Sequence, residues 1–132
     1  MRTPNISCKI EITSSINPSE DPQKIETAIL NIFPSAKIKI DNFSITSNSK
    51  DLNLLEKIYD VIHLNQSQKI YQRQLEKNLD NDSTWFYLNK QAALVGTVVL
   101  CEEADESPLG PIKVVLTSPN IDSILDWLIL PN

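Results

Sequence analysis

The chain has 132 residues, of which 41% are hydrophobic and 22% are charged, as is usual for a globular protein. Its 12 basic and 17 acidic residues give a net charge of −5, which argues against non-specific binding to nucleic-acid phosphates but allows a local basic surface. The chain has only two glycines and lacks both a glycine-rich dinucleotide fingerprint and a P-loop, so we exclude nucleotide-hydrolysing folds.

Length and hydropathy predict one domain spanning residues 1–132. No apolar run approaches the roughly 20 residues of a membrane span, and the polar N-terminus lacks the apolar core of a signal peptide. We therefore expect a cytoplasmic protein without membrane contact. Cys8 and Cys101 each lie in a strand-like segment, far apart in the chain, and are expected to be buried free thiols.

The first third of the chain predicts a strand, a helix and a hairpin. Residues 5–14 alternate between apolar and polar side chains, which is typical of a half-buried strand. The next helix begins within 18–22 and ends before Pro34. Two short alternating segments flank Asp41-Asn42, which predicts a hairpin turn there, and Asn48 or Ser49 is expected to cap the second helix.

A third helix, predicted over 67–79, has two distinct faces. Its apolar stripe contains Tyr71, Leu75 and Leu79, and its opposite face carries a row of cations, namely Lys69, Arg73 and Lys77. This row is either an ordinary solvated surface or a ridge that contacts phosphates. Glu76 lies beside it and would weaken the second interpretation.

The segment 84–112 supplies further strands. Thr84 to Leu88 is apolar on both faces, so each face must be covered within the domain or by a partner. Residues 89–93 suit a tight turn or a single helical turn, and 95–101 read as a central strand in which Gly96 marks a bulge or a close backbone approach. A rigid corner at 107–111 leads to a last strand, and Asn120 is expected to cap a final helix.

No pattern in the chain predicts catalysis or a cofactor. The acidic run 102–106 is more typical of a solvated turn than of a metal site. His63, the only histidine, lies at a helix end without a serine or cysteine signature. The element order is β-α-β-β-α-α-β-β-β-α, which predicts the α+β class, with helices layered on a mostly antiparallel sheet.

Several motifs resemble an archaeal family of uncharacterised small proteins: Trp85-Phe-Tyr-Leu-Asn-Lys-Gln-Ala-Ala-Leu-Val-Gly, Cys101-Glu-Glu, Ser107-Pro-Leu-Gly-Pro-Ile and Asp126-Trp-Leu. Members are described as predicted RNA-binding proteins with a fold like that of double-stranded-RNA-binding domains, grouped with the fifth protein of the large ribosomal subunit. The resemblance spans nearly the whole chain. It implies a partner that is RNA or a ribonucleoprotein and does not specify contact residues.

The residues suggest where RNA would bind. The candidates are cations for phosphates, a polar turn at the end of a strand and an aromatic residue for stacking: Lys69, Arg73, Lys77, Asn89, Lys90, Gln91 and Tyr87, with Trp85 as an alternative stacking residue. Other interpretations remain open. The two aromatic residues could pack in the core. Lys90 could be an ordinary surface lysine or could bond to local carbonyls. An uncovered apolar sheet face could pair with a second copy in a homodimer.

Overall fold

The structure is a computed structural model and describes residues 1–131. Its strands are β1 (Lys9–Ser15), β2 (Lys39–Ile40), β3 (Ser44–Ser49), β4 (Ser83–Leu88), β5 (Leu100–Cys101) and β6 (Ile112–Thr117). Its α-helices are α1 (Pro22–Ile32), α2 (Glu56–Leu64), α3 (Gln68–Lys77), α4 (Lys90–Leu94) and α5 (Ile121–Ile129). The predicted α+β class and element order are confirmed, and α4 stands where a single helical turn was one of two expectations.

The strands form one sheet in the order β2-β3-β1-β6-β4-β5. Every neighbouring pair is antiparallel. The first strand therefore lies near the centre, paired on one side with β3 and on the other with the last strand, β6. This arrangement brings β1, β6 and β4 side by side, although 67 residues separate the last residue of β1 from the first of β4.

The helices cover one face of the sheet. Alternate residues of the three central strands point towards them and are at most 1% exposed: Ile10, Ile12, Phe86, Leu88, Ile112, Val114 and Leu116. Apolar stripes from all five helices join these side chains in one hydrophobic cluster. Burying each large side chain contributes roughly 1.5–3 kcal/mol, so this layer supplies most of the stabilisation.

Two boundaries differ from the sequence prediction, the first because strand pairing overrides a local capping signal. Asn48 and Ser49 do not cap a helix; they belong to β3 and pair with Glu11 and Ile10 of β1. The capping residue is Asp51, whose carboxylate accepts a 2.9 Å hydrogen bond from the Asn53 N–H at the start of a 3-10 turn. Helix α3 also ends at Lys77, so Leu79 lies beyond its apolar stripe and is 39% exposed.

The expected central strand over 95–101 is wrong. Gly96 has φ +81° and ends α4: its N–H bonds to the Ala93 carbonyl, and the Thr97 N–H bonds to the Ala92 carbonyl. This is the Schellman arrangement, in which glycine is favoured because its φ is positive. Only Leu100–Cys101 remains as strand, and it lies at the edge of the sheet.

Both cysteines are buried free thiols, as predicted. Burial raises the pKa of Cys8 above its ordinary value, which keeps this thiol protonated and inert. Within residues 1–131, no helix is long and apolar enough to cross a membrane.

Candidate nucleic-acid interface

The second face of the sheet lies outside the hydrophobic core. Two rows of directly opposed residues cross it: Lys39–Thr46–Thr13–Lys113–Tyr87 and Asn48–Glu11–Val115–Trp85. We call these nine residues, together with Lys9, the open face. Their side chains are half-buried or exposed, and none belongs to the core cluster. The longer row spans four strand spacings, or about 19 Å.

Trp85 and Tyr87 lie together on the open face because they are two residues apart on β4. The alternative interpretation, that these residues pack in the core, is therefore not met. Among the described residues, neither ring stacks on another aromatic ring. Lys113 is the cross-strand partner of Tyr87, and its Nζ lies over the Trp85 ring, 5.0 Å from the ring centre. Two rings next to a cation form a surface on which a base can stack.

The charge of the open face is opposite to that of the whole chain. Two carboxylates lie beside the lysines Lys9, Lys39 and Lys113. Glu11 Oε1 is 3.6 Å from Lys9 Nζ. Asp41 follows β2, and its pKa is lowered by hydrogen bonds from the N–H groups of Phe43 and Ser44 and also by the charge of Lys39. The three lysines therefore still outnumber the carboxylates. The chain as a whole has a net charge of −5. A locally positive surface of this kind attracts an anionic partner despite the global charge.

An acidic loop borders the open face at its β5 edge. Cys101 pairs with Tyr87 and is 2% exposed. Burial raises the pKa of this thiol and the charge of Glu106 raises it further, which locates that carboxylate near the edge. Glu106 also accepts 3.2 Å hydrogen bonds from the N–H groups of Glu102 and Glu103, so the loop has a defined shape. Phosphates are therefore disfavoured on this side of Tyr87.

The predicted cation ridge on α3 is exposed, but the acidic loop faces two of its three members. Arg73 Nη2 lies 3.8 Å from Glu102 Oε1, and Lys77 Nζ lies 3.7 Å from Glu103 Oε1. More than half of each of these side chains is exposed, and such pairs contribute only about 0–1 kcal/mol. Lys69 completes the ridge, with no carboxylate within 4.0 Å in the described part of the chain. The ridge therefore has little net positive charge.

The polar turn that was expected to contact RNA is hydrogen-bonded within the protein. Asn89 caps α4, since its side chain accepts a 2.8 Å hydrogen bond from the Ala92 N–H. Gln91 donates a 2.7 Å bond to the Pro108 carbonyl. The Lys90 N–H bonds to Ser107 Oγ at 3.0 Å. These contacts attach the end of β4 to the corner that precedes β6.

Lys90 is buried, at 3% exposure, so the alternative that it is an ordinary surface lysine is corrected. Its ammonium group donates to the Ser15 carbonyl at 2.9 Å, to the Leu109 carbonyl at 3.0 Å and to both carboxylate oxygens of Glu20 at 3.1 Å. Burial alone would raise the pKa of Glu20, but hydrogen bonds from Asn17 and the Lys90 ammonium outweigh it, and the pKa lies below its ordinary value. Lys90 does bond to carbonyls, but those of Ser15 and Leu109 are distant in the chain and not local, as one interpretation had them.

The corner held by Lys90 is crowded at Gly110 by the Ser15 hydroxyl, which predicts a contrast with Gly96. Both glycines have positive φ, +91° and +81°, but a Cβ on Gly110 would lie 2.9 Å from Ser15 Oγ, whereas one on Gly96 would meet nothing within 4 Å. We expect Gly96→Ala to cost about 1 kcal/mol and Gly110→Ala about 2 kcal/mol, because the Ser15 hydroxyl must rotate away and give up its bond to the Leu109 carbonyl; urea unfolding measures both. Equal losses would contradict the crowding of the corner.

Comparison with known proteins identifies the family. A sequence model described as RNA binding matches residues 9–117. The chain belongs to this RNA-binding family. Its relatives include UPF0201 proteins from Methanothermobacter thermautotrophicus, 34% identical over 91% of this chain and 89% of the relative, and from Sulfurisphaera tokodaii, 35% identical over 91% and 86%. The resemblance to an archaeal family of uncharacterised proteins is thus confirmed.

Solved structures agree with the UPF0201 assignment. The crystal structure of a UPF0201 protein from Methanococcus jannaschii has a TM-score of 0.78 and 30% identity, covering 94% of each chain. A DUF54 protein from Methanothermobacter thermautotrophicus has a TM-score of 0.66 at 16% identity, covering 95% of this chain and 99% of that one, and shares the fold alone. The matched range of the RNA-binding family begins at Lys9 and ends at Thr117, so it contains the whole open face.

The sequence interpretation missed the lysines of the open face. Lys113 alternates with Ile112 and Val114 along β6, which is a readable sign that it points away from the core. Lys39 gives a weaker sign, because β2 has only two residues. No pattern in the sequence shows that these two lysines share one row with Tyr87, since that depends on the order of the strands.

Proposed function

We propose that the protein is a cytoplasmic RNA-binding protein without catalytic activity and that it binds RNA on the open face. The observation that supports this most is the proximity of Trp85, Tyr87 and Lys113 on an uncovered, locally positive sheet face within a chain of an RNA-binding family. Aromatic rings contribute stacking with bases, and the lysines contribute contacts with phosphates.

The open face is a better candidate than the α3 ridge because of the neighbouring charges. On the ridge, Arg73 and Lys77 are paired with the acidic loop, so RNA would have to displace Glu102 and Glu103 and then lie close to them. On the open face, Glu11 and Asp41 lie near Lys9 and Lys39, but Lys113 has no carboxylate within 4.0 Å among the described residues. The ridge also lacks an aromatic side chain beside its cations, because Tyr71 points into the core at 3% exposure.

Charge-neutralising variants test the location. We expect the double variant Lys39→Gln and Lys113→Gln to bind labelled RNA several-fold more weakly at low salt. The slope of log affinity against log salt should become shallower by about 1.5, since each phosphate contact contributes roughly 0.7–0.9. Fluorescence anisotropy across a salt series measures both quantities.

The control is the triple variant Lys69→Gln, Arg73→Gln and Lys77→Gln, which removes more positive charge from the α3 ridge. If the open face is the interface, this variant shows the smaller loss of affinity and keeps most of the salt slope. Loss of binding in the triple variant, with normal binding in the double variant, would assign RNA to the ridge. Absence of RNA binding by the unmodified protein would reject the proposed function.

A further inference from the structure

We infer that the open face takes single-stranded RNA, with unpaired bases stacked on Trp85 and Tyr87 and the backbone running from Tyr87 towards Lys39. This inference rests on the proposed function and adds to it the class of RNA and the path of the strand. Three features of the face support it: the spacing of the rings, the direction of the charge and the size of the surface.

The two rings suit bases that are not stacked in a helix. Residues two apart on a strand are about 6.6 Å apart, roughly twice the 3.4 Å rise between stacked bases. Each ring can therefore take a separate base from a strand whose bases are splayed. In a duplex the faces of the bases are already stacked on one another, so the rings of Trp85 and Tyr87 could not reach them.

The distribution of charge across the open face indicates which way the RNA backbone runs from Tyr87. From Tyr87, the acidic loop 102–106 lies on the β5 side, and Lys113, Thr13, Thr46 and Lys39 follow on the other side in a single row. A backbone that crosses Tyr87 is repelled by the carboxylates and attracted by Lys113 and Lys39. The two threonine hydroxyls between these lysines can donate hydrogen bonds to phosphate or to the ribose 2′-OH.

The size of the face argues against a duplex. Modules that bind double-stranded RNA by shape contact about 16 base pairs, more than twice the roughly 19 Å length of this row. A long duplex would also extend over the remainder of a chain whose net charge is −5. Electrostatic attraction for RNA is confined to the row of residues from Tyr87 to Lys39, which favours a short segment of single-stranded RNA.

The experiment compares two labelled probes on the full chain at low salt: a single strand of about ten uridines and a hairpin with a fully paired stem of similar length. Fluorescence anisotropy gives the affinities, and we expect the single strand to bind at least about tenfold more tightly. Tryptophan emission reports the location. The single strand should quench the tryptophan fluorescence of the unmodified protein but not that of the Trp85→Phe variant. The tryptophan that remains in this variant is Trp127, which is stacked on Tyr59 at 5.5 Å.

Each outcome decides the inference. Equal or tighter binding of the hairpin overturns the preference for single strands and leaves RNA binding intact. Single-strand binding without quenching of Trp85 overturns the path across the open face. Binding of neither probe overturns the proposed function as well, and if light scattering then shows a dimer that the double variant Trp85→Ala and Tyr87→Ala dissociates, the face belongs to a second copy of this chain.

Discussion

Replacing Lys90 by Met is expected to lower the free energy of unfolding by about 3 kcal/mol and the melting temperature by about 10 °C. The variant keeps the length of the side chain but removes the ammonium group that bonds to Ser15, Leu109 and Glu20. The Glu20 side chain is 10% exposed, so its carboxylate would be left nearly buried without its cation. Breaking one partner of such a pair costs more than the pair itself contributes.

A double-mutant cycle and a pH series separate this ion pair from simple loss of packing. Glu20→Gln should cost less than Lys90→Met, and the combined variant should recover part of the loss, because no unpaired charge remains. The pKa of Glu20 is lowered in the folded protein, so the stability that the pair adds is complete above about pH 4.3 and is lost as the pH falls through the folded pKa. The difference between the unmodified protein and Lys90→Met should therefore narrow in acid.

The same variant tests whether Lys90 contacts RNA, as the sequence analysis suggested. Its ammonium group is already bonded inside the protein, so we expect Lys90→Met to bind RNA normally at a temperature well below its melting point. An unchanged melting temperature together with lost RNA binding would contradict the conclusion that the buried Lys90 ammonium group stabilises the fold. It would make Lys90 part of the interface instead.

Side-chain periodicity was enough to predict most of the elements but not the neighbours of each strand. The alternation along β1 and the apolar stripe of α1 are local patterns, and both elements form close to where the sequence places them. The apolar character of β4 on both faces is also visible in the sequence. That one of its faces remains uncovered is not, because this depends on all five helices packing on the opposite side.

The interior role of Lys90 shows why a candidate site is harder to predict than a fold. A lysine between Asn89 and Gln91 in a polar turn is typical of a solvent-exposed position. Burial is possible here because the ammonium group bonds to Glu20, which is 70 residues away in the chain, and to the carbonyls of Ser15 and Leu109. The α3 ridge shows the reverse case: its cations are exposed as predicted, but the carboxylates that face them come from a distant loop. The spacing of residues within one segment of the sequence shows neither the burial of Lys90 nor the pairing of the α3 cations.

The double variant Trp85→Ala and Tyr87→Ala is expected to weaken RNA binding by at least about 30-fold. Each base stacked on an aromatic ring contributes roughly 1–3 kcal/mol, so loss of both removes about 2 kcal/mol or more. Because both side chains lie on the open face and outside the core cluster, the fold should persist. Circular dichroism and thermal melting verify this before the affinity is measured by fluorescence anisotropy.

Two controls make the result specific to these rings. Trp85→Phe with Tyr87→Phe keeps both aromatic faces and should retain most of the affinity, because stacking requires a π-face and not a particular polar group. Phe43→Ala removes an aromatic side chain that is 78% exposed in the turn between β2 and β3, away from the two rings. It should bind RNA normally. If the double alanine variant binds as the unmodified protein does, or if Phe43→Ala loses as much affinity, base stacking on Trp85 and Tyr87 is not what holds the RNA.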